Sequence, residues 1–428
     1  MNGADRPLAP EVKGWCPSVL RPMAAGDGLV ARIKPTAATL SADQARVVAE
    51  AADRFGNGQL EITRRGNLQA RGFDTAGHAR FADIVLSCRL ALPDAAAEAV
   101  RTVLAAPLSP TDDPSCTLDA HGIARAVEAA LVADRTLHDL PGKVGIAVDG
   151  GGALPLTTGG PAETADITIV GAADGSAVLR LPPDDGRRFA EIAVPSRAAA
   201  AMAVRLLYAF QAQADPTHRR VASLLAEIGS DRFLDGLDLP WRWREMPATA
   251  PALGAPRLTR LSTGLVAMIA APAFGRLPAE VLAALADIAE ANGDGTVRLT
   301  PWRAAVLPGI AAVDAASVRA EMSALGLIVD AGDPRLRVFA CTGRPGCLHA
   351  GADVLTDAAA FAAALPKRVM LHVSGCAKGC AYGRPADLTL TADNGRYDLV
   401  RAGRAGESPD LSGLARDAAI AEIRRSGR

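Results

Sequence analysis

The chain has 428 residues, of which 49% are hydrophobic, and its formal net charge at pH 7 is −1. A chain of this length forms roughly two to four domains with sizeable cores, and its near-neutral charge argues against a nucleic-acid-binding protein or a basic membrane-surface protein. It has no apolar run of the roughly 18 residues that a membrane span needs, and its polar start, "MNGADRPLAPEVKG", is unlike a signal peptide, so we expect a soluble cytoplasmic protein.

The first predicted elements are a strand, a helix and a second strand. A short apolar run from Leu29 to Ile33 predicts the first strand. The alanine-rich stretch that follows predicts a helix ending at the Gly-Asn-Gly turn of Gly56 to Gly58. A segment rich in β-forming residues then ends at Thr63.

This pattern occurs a second time in the chain. The stretch Leu40 to Gly72 aligns without gaps on Leu277 to Gly309, with eight of 33 positions identical, and the preceding "GLVA" at Gly28 recurs at Gly264. Self-similarity of this kind indicates a duplicated structural unit. Each copy resembles half of a ferredoxin-like α/β unit, and we expect the two halves to pair into one sheet.

A second duplication alternates with the first. "LPGKVGIAVDGG" (Leu140 to Gly151) matches "LPKRVMLHVSGC" (Leu365 to Cys376), and the last aligned pair is Gly151 in one copy and Cys376 in the other. The chain therefore holds two modules, of which only the second keeps the thiols. Alanine-rich helices around Ala198 to Gln213 and Asp357 to Leu365 are predicted to be packing elements.

Four of the seven cysteines are clustered in the C-terminal part of the chain. They are Cys341, Cys347, Cys376 and Cys380, with the spacing Cys-x5-Cys-x28-Cys-x3-Cys. Structural zinc usually takes narrower Cys-x2-Cys pairs, whereas four thiolates at wider spacing suit an iron–sulfur cluster. Buried structural cysteines or zinc are the alternative. In a reducing compartment, a metal or redox site is favoured over disulfides.

The cysteine spacing and one further motif resemble the sulfite and nitrite reductase family. The stretch "ITRRGNLQARG" matches that family's Thr-x-Arg-x-Asn-x-Gln-x-Arg-Gly pattern at Thr63, Arg65, Asn67, Gln69, Arg71 and Gly72. The resemblance covers most of the chain. It implies a 4Fe-4S cluster on the four clustered cysteines, the last of which bridges the cluster to a sirohaem iron in the reductases.

The resemblance also implies a mixed α/β (α+β) fold. Two ferredoxin-like half-domains would pair into one domain, and two reductase-type α/β domains would lie with it around a central cleft. The predicted segments are a first half-domain at 14–80, a reductase-type domain without a cluster at 95–235, a second half-domain at 255–325, and a reductase-type domain with the cluster at 334–428.

Two differences from the reductases count against reduction of a small oxyanion. In "LPGKVG" Lys143 is kept, but Gly142 and Gly145 replace polar residues that hold the oxyanion in the reductases, which weakens electrostatic capture. Lys378 replaces the asparagine that the family usually has between the last two cysteines. The stretches "GWCPSVLRPMAAGDGLVARIKP", "LPGKVGIAVDGGG", "HVSGCAKGCA" and "YDLVRAGRA" instead resemble the precorrin-3B synthase branch of the family.

This branch implies an oxygen-dependent monooxygenase of aerobic cobalamin biosynthesis. Its tetrapyrrole substrate, precorrin-3A, is hydroxylated with O2 at C20, and a γ-lactone forms from the ring A acetate. The branch is associated with a 4Fe-4S cluster and a separate mononuclear non-haem iron, and sirohaem is not expected. No Rossmann-type glycine motif is visible, so electrons should come from a separate ferredoxin or NADH-dependent reductase.

A precorrin carries many acetate and propionate carboxylates, so its site needs several cations. We expect substrate contacts from Arg64, Arg65, Asn67, Gln69, Arg71, Lys143 and Arg368. Lys143 is also a catalytic candidate. So is Lys378, which lies between two predicted cluster ligands and either neutralises cluster charge or touches the substrate. For Arg64 and Arg368 the alternative is a solvated surface charge.

The mononuclear iron is harder to place, because a site of two histidines and one carboxylate is its usual setting. His121, His349 and His372 lie on motif-bearing segments; His349 is the preferred candidate, and His372 is expected to pack within a strand. Cys16 is expected to be a plain buried cysteine, and Asp149 to shape a turn. Two other functions stay open: a sirohaem-dependent ferredoxin sulfite or nitrite reductase, and an iron–sulfur electron-transfer or sensing protein.

Overall fold

The computed structural model describes residues 16–158, 160–162, 165–247 and 254–427. Within these residues the chain forms four β-sheets with helices packed against them, which confirms the predicted α/β class. The N-terminal stretch 1–14, the start of the predicted segment 14–80, and Trp15 lie outside the described residues. No helix in the described ranges is long and apolar enough to cross a membrane.

The first sheet consists of the first half-repeat and one strand of the second. In spatial order its strands are β1 (Met23–Ala25), β2 (Gly28–Ile33), β5 (Leu68–Phe73), β4 (Gln59–Ile62) and β14 (Arg276–Pro278). All neighbouring strands run antiparallel.

The second sheet mirrors the first. Its strands are β12 (Arg257–Arg260), β13 (Val266–Ala270), β16 (Ala305–Ile310), β15 (Thr296–Leu299) and β3 (Thr39–Ser41). The last of these, β3, belongs to the first half-repeat and pairs with β15. Each half therefore donates one strand to the sheet of the other, and the expectation that the two halves pair into one sheet is wrong.

A tight turn before each donated strand explains the exchange. After β2 the chain passes through Ala37 and Ala38, whose φ angles of 53° and 54° lie in the left-handed region, and then enters β3. After β13 it passes through Phe274, with a φ of 57°, before β14. These turns carry each short strand away from its own sheet, so that it extends the edge of the other.

Two long helices follow the donated strands and pack against each other. They are α1 (Ala42–Phe55) and α7 (Ala279–Asn292). The Ser41 hydroxyl accepts a bond from the Gln44 N–H, and the Gln44 side chain accepts one from the Ser41 N–H, which starts α1 with a capping box. Both helices share one hydrophobic core with the inner faces of the two sheets. Helices α2 (Thr75–Ser87) and α8 (Ala315–Ala324) complete the two halves.

The third and fourth sheets share a topology. The third contains β11 (Trp241–Glu245), β10 (Arg188–Val194), β9 (Ala177–Arg180), β8 (Ile167–Gly171), β7 (Ile146–Asp149) and β6 (Val103–Ala105). The fourth contains β17 (Val338–Ala340), β18 (Leu371–Ser374), β19 (Ala386–Asp393), β20 (Arg396–Gly403) and β21 (Leu411–Leu414). In both, three parallel strands are followed by antiparallel ones. Strand β11 extends the third sheet past residue 235, and the predicted segment boundaries remain proposals.

The remaining helices cover these two sheets. Those associated with the third sheet are α3 (Ala95–Val100), α4 (Ala120–Ala133), α5 (Ala199–Gln213) and α6 (Val221–Leu234); those on the fourth are α9 (Val354–Ala364) and α10 (Arg416–Arg425). Helices α5 and α9 coincide with the two predicted packing helices. The core of the third sheet is continuous with that of the half-repeats, whereas the fourth sheet has a core of its own.

Candidate active site

The four clustered cysteines lie at one edge of the fourth sheet. Cys341 directly follows β17, and Cys376 follows β18 after Gly375, so the ends of two parallel neighbouring strands bring both cysteines to the same edge. Cys347 and Cys380 lie on the loops that continue from these strands. All four are free thiols; Cys380 is exposed and the other three are partly buried.

The backbone around Cys341 is shaped to approach its sulfur. The Gly375 N–H donates to Cys341 Sγ at 3.1 Å. A Cβ atom at Gly375 would lie 2.7 Å from the Ala350 Cβ and 3.3 Å from this sulfur, so a larger residue would not fit without a shift. Burial raises the pKa of Cys341 to about 11, and charge on Cys347 and Cys380 would raise it further, while the nearby backbone N–H groups oppose the rise.

Burial also raises the pKa of Cys380; the Lys378 ammonium opposes this effect, and charge on Cys376 and Cys347 adds to it. The four thiols are therefore close enough to repel one another as thiolates, and a bound cationic centre would stabilise their charged form. Among the described residues, no group of three or more His, Cys, Asp or Glu side chains is placed to hold a metal ion. An iron–sulfur cluster spreads its thiolate ligands more widely than one ion does, and four thiols beside backbone N–H donors suit its chemistry.

The first reductase-type copy has other residues at two of the equivalent places. The Ala106 N–H donates to the Val148 carbonyl on β7, and the Cys341 N–H donates to the Val373 carbonyl on β18. Ala106 is therefore the counterpart of Cys341 in the first copy. The sequence alignment places Gly151 opposite Cys376. Neither of these two positions in the first copy carries a thiol.

A carboxylate takes the place of a third cysteine. The Cys116 N–H donates to the Asp113 carbonyl, as the Ala350 N–H donates to the Cys347 carbonyl. Asp113 therefore occupies in the first copy the position that Cys347 has in the second. This replacement explains in part why the first copy is unsuited to an iron–sulfur cluster.

The Asp113 carboxylate is buried and accepts hydrogen bonds from several groups of the protein. Its oxygens accept bonds from the Ala153 N–H at 2.9 Å, from the Ser115 hydroxyl at 2.8 Å, and from the Ser262 hydroxyl. Burial opposes ionisation, but these donors, Ser262 foremost, lower the pKa of Asp113 to about 2. Since Ser262 lies in the turn between β12 and β13, the carboxylate joins the second half-repeat to the first reductase-type copy.

Arg71 joins the first half-repeat to the cysteine loop. Its Nε and Nη2 atoms donate to the two carboxylate oxygens of Asp27 at 2.7 and 2.8 Å. Nη2 also donates to the Gly346 carbonyl at 2.8 Å, and Nη1 donates to the Thr342 hydroxyl at 3.3 Å. Each donating nitrogen of this side chain, which we predicted to contact substrate, therefore has a protein partner.

A row of polar residues crosses the face of the first sheet that points away from the helices. Directly opposed on neighbouring strands are Arg32, Gln69, Glu61 and Arg276. The Arg32 Nη2 donates to Gln69 at 3.0 Å, and the Gln69 amide donates to Glu61 at 3.2 Å. We call this row, together with Arg71, the polar face. Because Arg71 reaches the loop between Cys341 and Cys347, the polar face is directed towards the cysteines.

The corresponding face of the second sheet is apolar. Val306 aligns with Gln69 in the sequence repeat. In the second sheet Val306 pairs with Ile269, and in the first sheet Gln69 pairs with Arg32, so Ile269 is the counterpart of Arg32. Val306 and Ile269 are fully buried in a hydrophobic cluster that also contains Leu108 and Leu154 of the first reductase-type copy. Side chains thus fill the space beside the second sheet, whereas the first sheet presents the polar face.

Two arginines of the second half-repeat lie on or beside the polar face, and neither belongs to a sequence motif identified above. Arg276 lies on β14 opposite Glu61. Arg303 lies on the loop before β16, within electrostatic range of Arg64, Arg276 and Cys341. Burial lowers the pKa of Arg303; Glu61 opposes this effect, and the two neighbouring arginines reinforce it.

Arg65 and Asn67 line a small depression between the first and third sheets, together with Thr102 and Ile146. The Arg65 Nη2 donates to the Lys143 carbonyl at 2.5 Å. Burial lowers the pKa of Arg65, and Arg220 adds to this effect. The structure therefore brings the Thr-x-Arg motif to the loop that precedes β7, and so places two predicted segments of the site together.

The predicted lysines and Arg368 occupy exposed loops. Lys143 precedes β7 and Arg368 precedes β18, and both are exposed. Arg368 is therefore at the end of β18 opposite to Cys376, and the structure does not bring it to the cysteines. Lys378 is exposed beside Cys380.

Of the three candidate histidines, one lacks hydrogen-bond partners among the described residues and the other two have contacts. His372 lies on β18 with 0% exposure, and neither ring nitrogen has a hydrogen-bond partner in the described part of the chain. Burial lowers its pKa to about 4. The prediction of a histidine packed within a strand is confirmed. The His121 Nε2 contacts the Ala106 carbonyl at 2.9 Å, and His349 is partly buried with a contact of its own.

The predictions for Cys16 and Asp149 have different outcomes. Cys16 is partly buried, where full burial was expected, and it lies within electrostatic range of Arg65 and Lys34; its lack of a functional role stays a prediction. The Asp149 carboxylate accepts bonds from the Gly151 N–H at 3.0 Å and the Thr157 N–H at 2.8 Å. Its predicted role in a turn is confirmed.

Comparisons with known proteins agree with this architecture. The model of the nitrite/sulfite reductase ferredoxin-like half domain matches residues 21–85 and 260–325. A precorrin-3B synthase from Sinorhizobium sp is 29% identical over 96% of this chain and 87% of its own length. The ferredoxin–nitrite reductase of Synechococcus elongatus is 24% identical over 90% of this chain and 80% of its own.

Shorter and structural matches point the same way. Sulfite reductase (ferredoxin) 2 of Mycolicibacterium paratuberculosis is 28% identical over 40% of this chain and 34% of its own length. The structure of the Mycobacterium tuberculosis NirA protein superposes with a TM-score of 0.72 and 19% identity, covering 93% of this chain and 80% of that one, which shows a common fold. The chain thus contains two matches to the nitrite/sulfite reductase ferredoxin-like half domain, and its predicted resemblance to the nitrite and sulfite reductases and to a precorrin-3B synthase is confirmed.

Proposed function

We propose that this oxidoreductase hydroxylates precorrin-3A at C20 with γ-lactone formation, the precorrin-3B synthase reaction of aerobic cobalamin biosynthesis. One atom of O2 enters the product, and the other is reduced to water by two electrons and two protons. A separate ferredoxin or NADH-dependent reductase would supply the electrons. The similarity to a precorrin-3B synthase over nearly the whole chain supports this reaction.

The structural observation that carries the proposal is the contrast between the two equivalent sheet faces. The first sheet presents Arg32 and Arg276 beside the cysteine loop, with Arg303 next to them, whereas the second sheet presents a packed apolar surface. A wall with several guanidinium groups suits a ligand with several carboxylates. A small oxyanion would need fewer cations, and the loop around Lys143 has glycines on both sides.

We propose that Cys341, Cys347, Cys376 and Cys380 hold a 4Fe-4S cluster. When bound, it would supply one-electron transfer into the cleft. The exposed Lys378 ammonium would reduce the repulsion between the thiolates, as its effect on the pKa of Cys380 indicates. The described residues contain no histidine and carboxylate set that fits a separate mononuclear iron, and we assign no step to one.

The predicted substrate residues receive different roles in this proposal. Arg65, Asn67 and Lys143 would bind substrate from the side of the third sheet, where they lie together. Arg64 and Gln69 would contribute from the first half-repeat. Arg71 would act as a positioning residue for the cysteine loop, because the protein occupies its guanidinium. For Arg368 we propose a surface role.

The test is an anaerobic purification followed by optical and electron paramagnetic resonance spectra, iron and sulfide analysis, and a pyridine extract for sirohaem. Turnover is then measured with precorrin-3A under ¹⁸O2, with mass spectrometry of the product. Cys376→Ser should lose the cluster signal. Cys88→Ser, at the end of α2 and apart from the four clustered cysteines, is the matched control and should keep it.

The outcomes separate the candidate functions. A cluster without sirohaem and a product carrying one ¹⁸O atom would support the proposal. Stoichiometric sirohaem would favour a reductase, to which the similarity with the ferredoxin–nitrite reductase also points. A cluster without sirohaem in a protein that neither binds nor converts precorrin-3A would leave an electron-transfer or sensing protein.

A further inference from the structure

Arg276 and Arg303 carry charges that the described part of the chain does not neutralise by ion pairs. Glu61 is opposite Arg276, but its carboxylate accepts a bond from Gln69 at 3.2 Å and lies 3.9 Å from Arg71. Arg276 makes no side-chain hydrogen bond or ion pair with any described residue. Burial lowers its pKa; Glu61 opposes this effect, and Arg71 adds to it. Two half-buried guanidinium groups beside Glu61 thus keep unused donors.

The polar atoms of Arg303 are only partly used. Its Nη1 donates to the Phe274 carbonyl at 3.2 Å. Its Nε atom is buried and has no hydrogen-bond partner among the described residues. An unpartnered charged donor in a buried place is unfavourable unless something else fills the position. The side chain is therefore arranged for a partner that the protein itself does not provide.

The backbone of Arg303 is also unusual. Its φ angle is 59°, in the left-handed region, and the aligned residue of the first half-repeat is Gly66, with a φ of 64°. Glycine adopts this conformation without strain, whereas a long side chain does not. Gly275 makes room for the side chain, because a Cβ there would lie 2.8 Å from the Arg303 Cδ. A strained arginine therefore stands where glycine would be unstrained, which indicates that its side chain has a use.

We propose that Arg276 and Arg303 together bind one carboxylate of a polycarboxylate tetrapyrrole on the cysteine side of the cleft. Both come from the second half-repeat, whereas Arg65 and the Lys143 loop bind from the side of the third sheet, so the pair determines which edge of the macrocycle faces the cysteines. The identity of the ligand rests on the proposed function; the carboxylate site rests on the two arginines.

The probe is uroporphyrin I, whose ring carries only acetate and propionate carboxylates, and binding is followed by its fluorescence at two salt concentrations. The variants are Arg276→Gln, Arg303→Gln and Arg303→Lys in the full chain. Arg46→Gln is the matched control, because Arg46 lies on the surface of α1 in an ion-pair network with Asp43, Asp287 and Glu290. Urea midpoints are measured for every variant, and KM and kcat with precorrin-3A are measured separately.

We expect each glutamine variant to bind uroporphyrin I about ten-fold more weakly, with a smaller dependence on salt, since each loses a charge-assisted contact. Arg303→Lys should restore part of the binding because it keeps the charge but not the planar fork. The urea midpoint of Arg276→Gln should stay the same or rise, since no ion pair or side-chain hydrogen bond within the described residues is lost, and Arg303→Gln loses only the bond to the Phe274 carbonyl. A purely structural role would instead lower the midpoints and leave binding by the folded protein unchanged, which would overturn the proposal.

The two hypotheses fail in different ways. If precorrin-3A is converted with unchanged KM in both glutamine variants, and their uroporphyrin I affinity also stays within two-fold of the wild type, the carboxylate site is refuted and the proposed reaction stands. If the variants lose uroporphyrin I binding while the wild type does not convert precorrin-3A, the carboxylate site stands and the reaction is refuted. A wild type that binds neither compound would refute both.

Discussion

Replacing Arg71 tests whether the polar face positions the cysteine loop or contacts the ligand directly. The guanidinium donates twice to Asp27, once to the Gly346 carbonyl and once to the Thr342 hydroxyl, and the residue is 3% exposed. Arg71→Gln removes the charge and most of these bonds, and leaves the half-buried Asp27 carboxylate without its charged partner, with only the Asn57 amide as a side-chain donor among the described residues. Arg71→Lys keeps the charge but can reach only part of the same acceptors.

The expected magnitudes follow from these contacts. Removing one partner of a buried ion pair costs about 3–5 kcal/mol, so Arg71→Gln should approach that range. A lysine that keeps one or two of the four bonds should lose roughly 2–3 kcal/mol, since bonds to charged groups are worth about 1.5–3 kcal/mol each. With Asp27→Asn in a double-mutant cycle, we expect a coupling of about 2 kcal/mol.

The assay combines urea unfolding with hydrogen exchange of residues 341–347, because a chain of several domains need not unfold in one step. Faster exchange in this loop, together with reduced iron content after anaerobic purification, would support the positioning role. Arg46→Gln should leave the loop unchanged. The reasoning is refuted if Arg71→Lys keeps stability, exchange and iron content while raising KM for precorrin-3A, since the arginine would then be a ligand for substrate.

Three further predictions concern the two reductase-type copies. Gly375→Ala should lower iron content, because its Cβ would meet the Ala350 Cβ at 2.7 Å, whereas Gly383→Ala, with no atom within 4 Å of its Cβ, should not; iron analysis decides. The pKa of Asp113 falls from 3.8 to about 2 on folding, so its carboxylate should contribute about 2 kcal/mol above pH 4. That contribution should vanish as the pH falls to about 2, and the difference in urea midpoint between wild type and Asp113→Asn should shrink in the same interval. His372→Leu should be neutral or stabilising in urea unfolding at pH 7, because neither buried ring nitrogen has a hydrogen-bond partner among the described residues and leucine fills a similar volume without polar atoms; a loss of more than about 2 kcal/mol would contradict this.

The features that could be predicted from the sequence are those encoded by spacing. The two alternating duplications, the four cysteines and the strand that contains His372 are all visible as patterns of residue type, and the structure places them accordingly. The Thr-x-Arg motif was located by resemblance, and Arg65 does lie beside the Lys143 loop. Local periodicity and motif spacing carry this information because they depend on residues close in the chain.

The features that could not be predicted depend on contacts between distant segments. The strand exchange follows from left-handed turns at alanine and phenylalanine, residues that do not indicate such turns. Arg71 matched a ligand-binding motif, but its partner Asp27 is visible only in space. Arg276 has no motif of its own. Arg303 could have been noticed, because the gapless alignment places it opposite Gly66.

The exchanged strands have a consequence for how a duplicated protein becomes asymmetric. Neither half-repeat can complete its own sheet, so a protein with a single repeat would have to dimerise by swapping this strand, and its two clefts would be identical by symmetry. Joining the repeats in one chain removes that restriction. One cleft is packed with Ile269 and Val306 and supports the fold, while the other keeps its charged wall. Arg276 lies in the cleft of the half that does not encode it, so neither repeat could be replaced by a second copy of the other without losing the site.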